Sequence, residues 1–345
     1  MSLALLAVPF LTSIFALAAS PALAQDYTNA ATMDGDDVQI DEWWVPYEDT
    51  RPRDPFTADG ERVWFVGQRG DYLGWLEPAT GEIGRLDLPA GTGPHNQIVD
   101  AEGNIWIAGN RDAYIGRYSQ ATNQFMRIEM PDGIPRDPHT LIMDQGGQYL
   151  WFTAQGANKI GRLNVSTYEV DIIDVPTEGA RPYGIEIGAN GMVWVVLLGT
   201  NKIAAINPDT LQITEVTLPR EAARPRRIGI TDNGYIWYVD YAEGYVGAFD
   251  PATGGVEEWP APNGAESRPY AMAVDAQNRI WFVETGPEAN NFVGFDPASE
   301  TFFSQTLVPS GGGTIRHMQF YEPTGEIWFG ADTNTIGRAV VMPQE

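Results

Sequence analysis

The chain reads as an all-β protein, a seven-bladed β-propeller of four-stranded antiparallel blades. Three observations predict this: a tryptophan that recurs seven times, four short β-rich runs in each interval, and an orphan strand at the start matching what the last unit lacks. Trp64, Trp106, Trp151, Trp194, Trp237, Trp281 and Trp328 follow one another at spacings of 42 to 47 residues, a period that belongs to propellers rather than helical solenoids. One unit shows the pattern. Arg226-Arg227-Ile228-Gly229-Ile230-Thr231 is followed by an Asp232-Asn233-Gly234 turn and then Tyr235-Ile236-Trp237-Tyr238-Val239-Asp240. The runs Tyr245 to Asp250 and Val256 to Pro260 complete it, separated by Pro251-Ala252-Thr253-Gly254, and such Asn/Asp/Gly/Pro clusters make tight turns. Four strands make one blade, so seven anchors make seven blades.

The ends of the chain predict how the ring closes. After Trp328 the last unit supplies only the run from Ile336 to Met342, while Val38 to Pro46 resembles the fourth runs of other units, Val256 to Pro260 and Val170 to Pro176. The N-terminal segment 38–46 is therefore expected to complete the last blade and hide two open sheet edges. The propeller spans 38–343 as one domain, with residues 25–37 a flexible acidic lead-in. Residues 1–24 read as a signal peptide: Leu3 to Ala19 is almost wholly apolar, and Ala22-Leu23-Ala24 before Gln25 has the small residues of a cleavage site. That predicts a periplasmic or secreted protein, with no membrane association after cleavage.

Composition excludes several functions. Without cysteine the chain has neither disulfides nor thiol chemistry. The net charge of −25 lies entirely beyond residue 24 and makes nucleic acid and anionic membranes poor partners. Against that acidic background, Arg51, Arg53, Arg136, Arg181, Arg220, Arg224, Arg226, Arg227, Arg268 and Arg316 all lie in the connections that enter a blade or just after them. Those connections gather around one mouth of the central channel, where a positive lining would focus an anionic or carbonyl-rich small molecule. The alternative is that these arginines only pair with carboxylates of neighbouring blades. A monomer is expected.

The residue after the blade-opening proline, or in the last unit the one taken as its counterpart, reads, in order, Phe56, His95, His139, Tyr183, Arg226, Tyr270 and His317. All three histidines of the chain thus share one expected ring position beside the channel axis.

The unit Pro-(His/Tyr)-x-Ile, then Gly-x-(Ile/Leu)-Trp-Phe, then Asn-x-Ile-Gly-Arg resembles the repeat of the virginiamycin B lyases, also called streptogramin B lyases. It is clearest in Asp137-Pro138-His139, Leu150-Trp151-Phe152 and Asn158-Lys159-Ile160-Gly161-Arg162, and again in Ile327-Trp328-Phe329 with Asn334-Thr335-Ile336-Gly337-Arg338. The resemblance runs through all seven units. It implies a seven-bladed propeller that opens a cyclic depsipeptide without water, by elimination across an ester and with the help of a magnesium ion. Such chemistry needs a base of near-neutral pKa to take a proton α to a carbonyl, and carboxylates to hold a hard cation that stabilises enolate charge.

Carried over residue by residue, the resemblance places His317 as the catalytic base. The two positions of the family's metal-binding glutamates fall on Ile315, which cannot ligate, and on Asp332, which can. The substrate-binding histidine of the preceding blade is replaced by Tyr270. Glu284 and Asp240, each three residues after a blade tryptophan, could add carboxylates, so Asp332 and Glu284 are the expected ligands of a divalent cation, which the resemblance implies to be magnesium. Tyr270, Arg268, Arg226, Tyr183, His95 and His139 are the expected substrate-binding residues.

Two function classes follow. One is an exported carbon–oxygen lyase acting on an ester- or lactone-containing substrate at the channel mouth; the other is a non-catalytic propeller binding a ligand or partner protein through the same face. A lactonase of the gluconolactonase type is a third reading that fits the repeat less well.

Overall fold

The computed structural model describes residues 12–16, 19–20, 32–34, 38–131 and 137–341. Each tryptophan-centred unit forms a four-stranded antiparallel sheet, and seven such sheets surround a central axis. In the fifth blade, for example, the strands run Pro225–Ile230, Ile236–Asp240, Tyr245–Phe249 and Val256–Pro260 from the axis outward.

The last blade closes as expected. Ile315–Tyr321, Glu326–Ala331 and Thr335–Val341 are joined by the N-terminal strand Val38–Trp44, which pairs antiparallel from Thr335 opposite Trp44 to Val341 opposite Val38. Trp43 stacks on Trp328 with ring centroids 5.7 Å apart. Buried Glu42 accepts hydrogen bonds from the Ser310 backbone N–H at 2.6 Å and from the Thr335 hydroxyl at 2.6 Å, tying the closing strand to the sixth and seventh blades.

The apolar residues sort into seven separate layers, one at every blade-to-blade contact. The layer between the seventh and first blades, which includes Trp43, Trp328, Ile336, Phe65 and Tyr72, makes the ring continuous. No single core grows with chain length, so about 300 residues can form one domain.

Local sequence explains the blades. In four of the five blades where an aromatic follows the anchor tryptophan, its cross-strand partner is glycine: Phe65 opposite Gly74, Phe152 opposite Gly161, Tyr238 opposite Gly247, Phe329 opposite Gly337; in the sixth blade, Phe282 faces Val293 and the glycine, Gly294, lies opposite Trp281 itself. A Cβ on Gly161 would lie 1.9 Å from the Phe152 ring, so the flat aromatic needs a bare backbone beneath it. In the fourth blade, where Val195 takes the aromatic's place, the partner is Ala204. Asp100, Thr231 and Asp275, each six residues before a tryptophan, accept the indole N–H of Trp106, Trp237 and Trp281 at 2.8, 3.1 and 2.8 Å.

The expected signal peptide and acidic lead-in lie largely outside the described residues. Of the described part, Thr12–Ala16 and Ala19–Ser20 pair with the outer strands Gln124–Glu129 and Glu82–Asp87, and Thr32–Asp34 pairs with the closing strand. Among the described residues, no helix is long and apolar enough to cross a membrane.

Candidate functional site

Strand register decides which side chains meet at the axis. Each innermost strand starts opposite the end of the second strand: Pro52 faces Gly67, Pro94 faces Gly109, Pro138 faces Ala154, Pro182 faces Leu197, Pro225 faces Asp240, Pro269 faces Glu284 and Ile315 faces Ala331. All seven then carry one extra residue before reaching the tryptophan's partner. Such a β-bulge re-aims side chains, and its repetition turns two consecutive residues of each strand toward the axis region.

Counted in this register, the residues following the first position are Arg53, His95, His139, Tyr183, Arg226, Tyr270 and Arg316. This corrects the ring expected from sequence. Phe56 lies three residues further, opposite Trp64, and His317 lies one residue further than His95 and His139. The cause is local: the first blade has two prolines, Pro52 and Pro55, and the last opens on Ile315 instead of proline, so alignment on proline slips at both ends.

This ring fills the channel. The His95 and His139 rings have centroids 3.6 Å apart, His139 and Tyr183 4.3 Å, and the Tyr183 and Tyr270 hydroxyls are hydrogen-bonded. The Arg226 guanidinium lies over the Tyr270 ring at 3.5 Å and over Tyr241 at 4.2 Å. His95, His139, Tyr183, Tyr270 and Arg53 are only 2 to 6% exposed. Five of the six residues expected to contact substrate, His95, His139, Tyr183, Arg226 and Tyr270, pack together between the upper mouth, where the blade connections arrive, and the lower half of the channel. Burial, reinforced by Arg53 and Arg227, pushes both His95 and His139 well below the usual imidazole range, so the stacked pair is neutral.

The second ring, one residue deeper, contains Asp54, Thr140, Arg227 and His317. Asp54 accepts from Arg53 Nε at 3.0 Å and Asn96 Nδ2 at 2.9 Å. Burial opposes its charge, but Arg53, His317, Arg227 and Asn96 outweigh burial and hold it well below the usual carboxylate range. Arg227 donates through Nε to the Arg316 carbonyl at 2.8 Å and through Nη1 to the Thr140 hydroxyl at 3.3 Å; its Nη2 lies 4.0 Å from Asp54 and has no hydrogen-bond partner. His317 Nδ1 also lacks a partner. Burial and then Arg227 push the His317 imidazole down to about 4, with Asp54 pulling the other way.

Below this ring the channel widens into a chamber of about 410 Å³ to which all seven innermost strands contribute. Its walls are chiefly aliphatic, and His317, Arg227 and Thr140 stand at its inner end. The lower rim residues Met143, Glu186, Gln319 and Phe320 are half-buried, which leaves the chamber open to solvent on that side. Glu186 is the one carboxylate lining it; burial raises its pKa to about 7, against the pull of Arg227.

The expected cation ligands are not free to share an ion. Asp332 is clamped by both terminal nitrogens of Arg316, Nη2 at 2.6 Å from Oδ2, and Arg51 Nε lies 3.5 Å away. Glu284, fully buried, accepts from the Asn263 backbone N–H at 2.9 Å and from Asn291 Nδ2 at 2.8 Å. Asp240 accepts from the backbone N–H groups of Arg224 at 2.8 Å and Ala242 at 3.0 Å, with Arg220 2.8 Å away. Among the described residues no three His, Asp or Glu side chains converge as a metal site would require. The donor set, tied to arginines and amides, does not fit a divalent cation.

The positive mouth is also weaker than its composition implies. Arg220 is surrounded by Asp240, Glu243 and Glu258, and Arg224 bonds to the backbone carbonyls of Glu221 and Ala223. Arg268 remains exposed on the rim, and Arg136 lies outside the described residues.

Sequence reasoning overlooked Asp54, Thr140 and Glu186. Asp54 was concealed by the slipped alignment. Glu186 carried a usable signal, a glutamate within Gly184-Ile185-Glu186-Ile187 where other blades place Ile98, Ile142 or Ala273.

The fold recurs among solved structures. A streptogramin B lyase structure superposes with a TM-score of 0.79 at 24% identity, covering 89% of this chain and 98% of its own. The virginiamycin B lyase of Staphylococcus aureus gives 0.79 at 21% identity, covering 88% and 100%; a catalytically inactive variant of it, crystallised with quinupristin, superposes equally well. Hydrazine synthase of Kuenenia stuttgartiensis reaches 0.73 at 14% identity over 87% and 98%. No curated protein matches by sequence. The profile described as "Virginiamycin B lyase family" matches residues 38–339, the whole propeller, and the chain belongs to that family.

Proposed function

We propose that this protein is a carbon–oxygen lyase of the virginiamycin B lyase type, whose reacting pair is His317 and Arg227. One observation carries the reading: the His317 imidazole and the Arg227 guanidinium line the same solvent-open chamber, each with a buried nitrogen, Nδ1 and Nη2, that has no hydrogen-bond partner. In this scheme His317 takes a proton α to a carbonyl. Arg227 donates to the carbonyl oxygen as enolate charge develops there, the role that preorganised donors serve in such reactions. The electrons of the broken C–H bond form C=C, and the pair of the β C–O bond leaves on oxygen as carboxylate.

A low imidazole pKa makes His317 fully available but weakly basic. An anionic or ester-containing substrate seated on Arg227 would offset the guanidinium that depresses it. The family's magnesium ion has no free ligand set at Asp332 and Glu284, so no step is assigned to it. We further propose that residues 1–24 direct export and that the mature protein acts as a periplasmic or secreted monomer.

The test is turnover of a β-acyloxy ester, including a cyclic depsipeptide, in water enriched in oxygen-18. The lyase reading expects a new C=C bond, no label in the released acid and loss of turnover in His317→Ala. Labelled acid would instead indicate hydrolysis and overturn the reading. The second reading, a non-catalytic ligand-binding propeller, is favoured by the weak basicity of His317; it expects ligand to be bound and recovered unchanged.

A further inference from the structure

We infer that the lower chamber, on the face away from the blade connections, is the ligand port of this protein and takes an amphipathic small molecule with an anionic head and an aliphatic body. The inference rests on the proposed function for the location of the reacting pair, and it adds the direction of access and the chemical class.

Access follows from packing. In the upper ring His95, His139, Tyr183 and Tyr270 pack as a run of tilted rings under Arg226, and these four are no more than 6% exposed. A ligand from the upper mouth would have to break it. From below, the chamber is reached past half-buried side chains, and its 410 Å³ is in the range of small-molecule sites.

The class of ligand follows from the lining. Ile142, Ile185, Ile230, Met272, Val274 and Phe320 present an apolar wall that an alkyl or similar body would cover. At the inner end, both carboxylate oxygens of Asp54 are already used, by Arg53 and Asn96. Arg227, only 3% exposed, has its Nη2 4.0 Å from Asp54 but hydrogen-bonded to nothing, and His317 Nδ1 also lacks a partner; both nitrogens are buried at the chamber's inner end. A buried guanidinium N–H without a partner is costly, and an anionic oxygen is the acceptor that satisfies it best. Glu186, the chamber's carboxylate, stands on the wall of the fourth blade within electrostatic reach of Arg227, and burial favours its neutral form.

The experiment uses three probes with one tail and three heads, octanoate, octanol and octylammonium, each titrated calorimetrically below its micelle concentration into the full propeller. Octanoate is expected to bind, octanol roughly tenfold more weakly, and octylammonium not measurably. Arg227→Met should erase the preference for octanoate over octanol. Because that change touches a buried network, Met143→Trp at the half-buried rim serves as the second variant; it leaves the inner group intact and should abolish binding of octanoate and octanol by filling the chamber.

Equal binding of the three heads, tighter binding of octylammonium, no binding of octanoate, or unchanged binding in a folded Met143→Trp would each overturn the inference. The two ideas fail separately. Octanoate binding without ester turnover leaves the port and removes the lyase; elimination of an ester that octanoate does not inhibit leaves the lyase and removes the port.

Discussion

Arg316 holds Asp332 in a two-pronged ion pair, Nη2 to Oδ2 at 2.6 Å, at the position where family resemblance places a cation-binding carboxylate. A guanidinium already supplies the positive charge that a divalent ion would bring. Magnesium is therefore expected to leave the melting temperature unchanged, since only binding to the native state raises it. Melting scans with magnesium and with chelator check this, and a rise with millimolar magnesium would contradict it. Asp332→Asn should cost about 1 kcal/mol, the scale of a partly exposed pair.

The three histidines make the fold acid-labile. The His317 pKa lies near 4 in the folded protein, below the unfolded value near 6.5, and those of His95 and His139 are also depressed. Between those values the unfolded chain binds more protons, so stability falls as pH drops from 6.5 toward 4 and is unaffected by these groups above 6.5. His317 alone contributes roughly 3 kcal/mol of this loss. His317→Gln should flatten the decline of stability in denaturant titrations across that window.

Glu186 acts in the opposite sense. Its folded pKa of about 7 exceeds the usual 4.5, so the folded state holds the proton longer and stability falls as pH rises from 4.5 through 7. Glu186→Gln should therefore raise stability above pH 7, by roughly 2–3 kcal/mol, and change little at pH 4. Paired urea titrations at pH 4 and pH 8 read the difference.

Deletion of residues 38–44 should abolish cooperative melting. It removes a seven-residue strand pairing, the Trp43 stack on Trp328 and the Glu42 bonds to Ser310 and Thr335. It also exposes the edge of Thr335–Val341 to aggregation. Calorimetry of the truncated chain showing an undiminished transition would contradict the closure described.

The blades were legible because their determinants are local. Tryptophan spacing, turn residues and the missing fourth run at the C-terminus sufficed for blade number and for closure by Val38–Trp44. Site residues were legible by type but not by position. Arg226, Tyr183, Tyr270, His95 and His139 do meet at the axis, yet as a packed plug. His317 differs from the other two histidines in place: it stands one residue deeper and lines the open chamber.

What the sequence by itself determined is the repeat, its closure and the family, since these rest on residues that neighbour one another along the chain or recur at a fixed period. Only the tertiary structure decided which side chains share the axis, which of them bury one another, and that Asp332 and Glu284 are already satisfied. Those outcomes depend on a one-residue bulge in each inner strand and on contacts across blades more than 80 residues apart, such as Tyr183 with Tyr270. Pairing across that distance is set by the closed ring, not by any local run of residues.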